Sequence, residues 1–116
     1  MRHGDKNKKF GRKQKVRTAF FRGLARSLFE HGKIETTLAR AKAIRPMVDK
    51  LVYRAQKDSI ASRRIAARRL GSASSAALLF KNTGKKYAER KGGYTRIVRT
   101  GFRKSDGAQK AVIELV

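Results

Sequence analysis

Hydrophobic positions change period several times along the chain, and each change marks a new element. From about Val16, Phe20, Leu24 and Leu28 recur every four residues, with Phe21, Ala25 and Phe29 beside them. That spacing lines one face of a helix, and Gly32, after His31, supplies its stop. Arg17, Arg22 and Arg26 fall away from the stripe's centre, free for phosphate. Gly23 costs such a helix roughly 1 kcal/mol against alanine, which points to close approach of another backbone. Lys33 to Thr36, with Ile34 between polar residues, reads as a short strand. Thr36 or Thr37 then caps a second helix carrying Leu38, Ala41, Ile44, Val48, Leu51, Val52 and Ala55, which Pro46 should bend near Lys42.

A third helix starts at Asp58 or Ser59, carries Ile60, Ile65 and Leu70, and stops at Gly71. A fourth runs from about Ala73 to Asn82 and ends before Gly84. Past Lys91 the texture becomes β-like. Tyr94 to Phe102 alternates loosely, Ser105, Asp106 and Gly107 form a turn, and Gln109 to Val116 puts Ala111, Ile113 and Leu115 on one face. The order helix, strand, three helices, two strands predicts a two-layer α+β domain with helices on one face of a small three-stranded mixed sheet.

Residues 1–15 break these patterns. Phe10 is the one apolar side chain there beyond Met1, so this basic arm cannot bury enough surface to offset chain entropy and should order only on a partner. Residues 16–116 then form a single domain, as expected for 116 residues.

Charge narrows the partner. Lys and Arg number 31 against 8 Asp and Glu, a net charge of +23. The excess runs from end to end: nine cations and one acid in residues 1–22, twelve against four in 23–80, ten against three in 81–116. Such a field calls for a polyanion, with nucleic acid the first candidate.

Other chemistries find little support. The chain has no cysteine, which removes disulfides and thiolate metal sites. His3 and His31 have no carboxylate constellation around them, so neither a catalytic nor a metal site is expected, and no cofactor. Neither phosphate-loop glycine motif occurs, and Gly92 and Gly93 precede a strand rather than a helix. No apolar stretch approaches the roughly 20 residues that span a bilayer, so no membrane partner is expected. The segment Ser59 to Phe80 could imitate a helix-turn-helix, but its second helix offers Ala, Ser and Leu where a reading helix needs base-contacting side chains. Arg63, Arg64, Arg68 and Arg69 wrap a helix face, and no acid falls between Asp58 and Glu89, which suits phosphate contact. Three tyrosines are too few for serial base stacking, so structured RNA read by shape and backbone fits better.

"MRHG" at Met1, "TTLARAKAIR" from Thr36 to Arg45, "SRRIA" at Ser62, "GGYTRI" at Gly92 and "VIELV" at Val112, in this order and spacing, resemble the bacterial large-subunit ribosomal protein family numbered seventeen. The chain departs from the family pattern at Val16, Gly23 and Pro46. The resemblance implies a non-catalytic structural protein of the cytoplasmic ribosome. It would bind large-subunit rRNA near the polypeptide exit region and meet neighbouring large-subunit proteins, with no small-molecule substrate and no homo-oligomer. It implies rRNA contacts at Arg2, His3, Arg12, Arg17, Thr36, Thr37, Lys42, Arg63, Arg64 and the turn Gly92, Gly93, Tyr94, Thr95, Arg96; the charge pattern adds Lys6, Lys9, Lys13 and Arg22. In that turn the glycines let backbone approach RNA, Tyr94 stacks or packs, Arg96 reaches phosphate and Ile97 anchors the strand. A DNA-compacting architectural protein is the alternative.

Overall fold

The computed structural model describes residues 3–4 and 8–116. α1 (Gln14–His31) begins a little before the apolar stripe, where Lys13 leaves extended backbone and its carbonyl accepts from the Arg17 amide at 2.8 Å. It ends as its sequence suggests. Gly32 takes the left-handed conformation, φ 81°, and its amide closes back on the Leu28 carbonyl at 2.7 Å.

β1 (Lys33–Thr37) leads directly into α2 (Leu38–Gln56), whose first turn is capped by the Thr37 hydroxyl accepting from the Arg40 amide. α2 is one uninterrupted helix through Pro46. Proline removes one hydrogen bond and costs about 3 kcal/mol inside a helix. Against that stand Ile44, Val48 and Val52, all fully buried on the same face, each stabilising by about 1.5–3 kcal/mol. Packing outweighs the missing bond, so the helix continues.

α3 (Ile60–Leu70) starts at Ser59, whose hydroxyl accepts from the Ser62 amide at 3.1 Å, and stops at Gly71, φ 71°. α4 (Ala73–Leu78) repeats the device with Ser72 and the Ser75 amide. The fourth helix then departs from expectation. Instead of ending before Gly84, the chain widens into a π-helical turn over Leu79–Gly84 in which Leu79, Phe80, Thr83 and Gly84 are all buried. Gly84 lies against α2 so closely that a Cβ there would sit 2.6 Å from the Ala55 carbonyl oxygen. It is a helix-packing contact rather than a stop.

β2 (Thr95–Phe102) and β3 (Gln109–Leu115) form a hairpin, and the sheet order is β1-β3-β2. The sheet is wholly antiparallel, not mixed as the sequence suggested: β3 lies centrally and runs opposite to both neighbours, Ile34 and Ile97 both facing Ile113. The register slips between Arg99 and Gly101, where a bulge twists the edge strand and Gly101 takes φ 130°. Ile97, Ala111, Ile113 and Leu115 meet the helices, while Arg96, Val98, Val112 and Glu114 face away. Helices on one sheet face make the two-layer α+β domain.

Candidate nucleic-acid interface

The start of α2, the middle of α1 and the segment before α1 enclose an open groove of about 1030 Å³. Its rim carries Lys8, Arg17, Arg40 and Lys42, and its walls carry Phe10, Phe21, Leu38 and Pro46. The hairpin closes one end with Ala108 and Gln109. Arg17 and Lys42, distant in sequence, are thus brought to one site together with Thr37, whose hydroxyl is engaged as the α2 cap.

The segment before α1 is fastened here by aromatic contacts. Phe10 meets Phe21 edge to face at 5.7 Å, and the Arg12 guanidinium stacks 4.1 Å from the centre of Phe20. Arg40 approaches the same ring at 4.9 Å, so Phe20 holds two cations near the groove. Arg12 also donates to the Phe10 carbonyl at 2.7 Å. Lys9 and Lys13 are exposed beside this cluster, and His3 is exposed. Arg2 and Lys6 lie outside the described residues.

A second basic surface is α3, where Arg63, Arg64, Arg68 and Arg69 are all exposed. Arg63 is held by Asp58 through two contacts of 2.6 and 2.9 Å; this hydrogen-bonded pairing lowers the Asp58 pKa and raises that of Arg63. Arg22 reaches this surface from α1, but its guanidinium donates to the Arg68 and Arg69 carbonyls, each at 3.1 Å, and its stem covers Gly71. It serves as a cationic cap on the carbonyl end of α3.

The Gly92–Arg96 turn divides differently. Gly92 and Gly93 have φ of 126° and 61°, and a Cβ on either would meet nothing within 4 Å among the described residues, so it is backbone conformation that demands glycine. Tyr94 is buried, packs on Tyr87 with ring centres 5.6 Å apart, and donates its hydroxyl to the Arg90 carbonyl at 3.0 Å. No ring face is left for a base to stack on. Thr95 is also buried, its hydroxyl 3.4 Å from the Asp49 carboxylate. Burial raises the Asp49 pKa; the nearby Arg45 and the Thr95 hydroxyl partly counter it. Arg96 lies on the outer sheet face, paired with Glu114. Thr36 faces inward on β1, opposite Ala111.

Among the described residues, no group of acids and histidines is arranged to hold a metal ion, and no helix is long and apolar enough to cross a membrane. Lys8, Phe20 and Arg40 were not singled out as site residues by sequence reading. Arg40 was discoverable: it stands three residues after the capping Thr37, in the first turn of α2, beside the helix's uncapped amides.

Residues 20–116 match the family model for "Ribosomal protein L17". Over all 116 residues the chain is 46% identical to the large ribosomal subunit protein bL17 of Erythrobacter litoralis, covering 83% of that protein. It is likewise 46% identical to bL17 of Gemmatimonas aurantiaca, covering 98% of it, and 45% identical to bL17 of Sphingopyxis alaskensis, covering 84%.

Proposed function

Because the chain belongs to the ribosomal protein L17 family, a structural component of the large ribosomal subunit, we propose that it binds and stabilises large-subunit rRNA near the polypeptide exit region. The observation that carries the rRNA reading is the unbalanced charge of the surface. Among the described residues four ion pairs form, engaging Arg63, Arg96, Arg103 and Lys110 with Asp58, Glu114, Asp106 and Glu35. These pairs engage four of the 31 lysines and arginines, and the groove rim and Arg64, Arg68 and Arg69 keep their charge for phosphate.

The role is non-catalytic. The segment Lys8–Lys13, already seated on α1 through Phe10 and Arg12, docks on rRNA together with the domain that follows it, with the contacts centred on the groove and on α3. Arg22 contributes by holding α3 in place, and Tyr94 and Thr95 by fastening the start of β2 to Tyr87, Arg90 and Asp49, since each is engaged within the protein. Neighbouring large-subunit proteins are the other partners.

A protein that neutralises about 6 to 10 phosphates loses roughly 10³ to 10⁵ in affinity between 50 and 200 mM salt. A titration against large-subunit rRNA fragments should show a dependence of this class, and a flat response would sink the proposal. Gradient sedimentation separates the reading from DNA compaction: the chain should travel with large subunits and not with the nucleoid.

A further inference from the structure

The groove contains more than a phosphate site requires. Neutralising backbone charge needs only cations at a surface, as on α3, yet here the rim encloses apolar walls formed by Phe10, Phe21, Leu38 and Pro46. The wall is also built under strain. Phe10 has φ 52°, the one non-glycine residue with positive φ among the described residues, and Gly11 follows at 65°. A Cβ residue enters that region against steric resistance. Two contacts from Arg12 secure the turn: its hydrogen bond to the Phe10 carbonyl and its stacking on Phe20. Loose lysines on an arm would neutralise phosphate without such a turn. The strain serves to set an aromatic side chain against Phe21 at the groove.

We propose that this groove receives a single unpaired nucleotide of the RNA, its base against the Phe10, Phe21 and Pro46 walls and its phosphate on the Arg17, Arg40 and Lys42 rim. An apolar interior with a cationic edge matches the two halves of a nucleotide, flat weakly polar base and anionic linker. A-form duplex offers no such fit, because its bases are stacked inside and present only edges and backbone. The proposal rests on the reading that the chain binds rRNA, and it names the form of RNA the groove takes.

Short-wavelength ultraviolet crosslinking of intact large subunits, read by mass spectrometry of the chain and by primer extension on the rRNA, tests it. The expected result is a base crosslink at Phe10 or Phe21 that maps to an unpaired nucleotide. Filling the groove, by Ala43→Phe in its α2 lining or by Ala108→Phe at its hairpin end, leaves the charge unchanged and should lower that crosslink at least tenfold in subunits that still contain the chain. Crosslinks confined to α3 or the Gly92–Arg96 turn, or a groove crosslink to a base-paired nucleotide, would overturn the proposal while the rRNA-binding reading stood. Absence of the chain from large subunits would overturn that reading itself.

Discussion

Gly23 and Gly84 sit in helical surroundings and look alike in sequence, but space separates them. A Cβ on Gly23 would meet nothing within 4 Å among the described residues, so the close approach expected there does not occur among them. A Cβ on Gly84 would collide with the Ala55 backbone oxygen at 2.6 Å. Gly23→Ala should therefore stabilise the free protein by about 0.5–1 kcal/mol, through lower backbone entropy in the unfolded chain. Gly84→Ala should destabilise it by about 1–3 kcal/mol, because α2 must move. Urea unfolding of the two variants checks both signs. The same scale separates the two roles open to Tyr94, stacking or packing: a tyrosine after two glycines reads equally as a stacking platform or as core, and Tyr87 and Arg90 around it, like Asp49 beside Thr95, take the side chains inward.

Apart from the end of the fourth helix, helix limits were legible because they depend on contacts no more than a few residues apart. Ser59 and Ser72 cap their own third following amides, and Gly32 and Gly71 release the chain in left-handed conformation. The run of α2 past Pro46 was legible in its apolar spacing, but the burial of Ile44, Val48 and Val52 that outweighs the proline depends on side chains meeting other elements. At the seam of α2 with β2, Asp49 gives a pH prediction. Its folded pKa is raised above the ordinary 3.8, mainly by burial, so the folded state holds the proton more tightly than the unfolded chain. Asp49 thus favours folding when protonated, and stability falls as pH rises through the window above 3.8. Asp49→Asn should raise the melting temperature at neutral pH and flatten the slope in that window; a lower melting temperature would refute the assignment. The hairpin turn behaves oppositely. Its hydrogen bonds with Arg103 and with the Ala108 amide pull the Asp106 pKa down to about 2, so what it contributes is present above 3.8 and lost as pH falls through about 2.

For the whole molecule, a net charge of +23 acts on the free and bound states in opposite directions. Without RNA, like charges repel within one compact domain, and salt screens them over about 10 Å at 0.1 M. With RNA, the same salt competes for phosphate. Raising ionic strength should therefore increase the melting temperature of the free chain over the range in which it weakens rRNA binding. Thermal melts without RNA, set beside the binding titration, check this; a melting temperature that falls with salt would show that local ion pairs such as Arg103 with Asp106 outweigh the overall repulsion.

By itself the sequence determined the order of elements, most of their caps and stops, the apolar faces of α1, α2 and β3 that enter the core, and the unbalanced charge that calls for a polyanion. Each is written in spacing or in composition, which need no knowledge of what packs on what. On α3, by contrast, Ile60 is exposed and Ala66 is buried with Leu70. Tertiary structure alone decided that Arg22 caps α3 from 46 and 47 residues away, that Gly84 meets Ala55, that the sheet is antiparallel throughout, and that Phe10 turns back to wall a groove with Arg17 and Lys42. Such contacts join residues far apart in the chain, and many pairings share the same local pattern. Only the docking of helices onto the sheet selects among them, because it allows one set to be buried and hydrogen-bonded together.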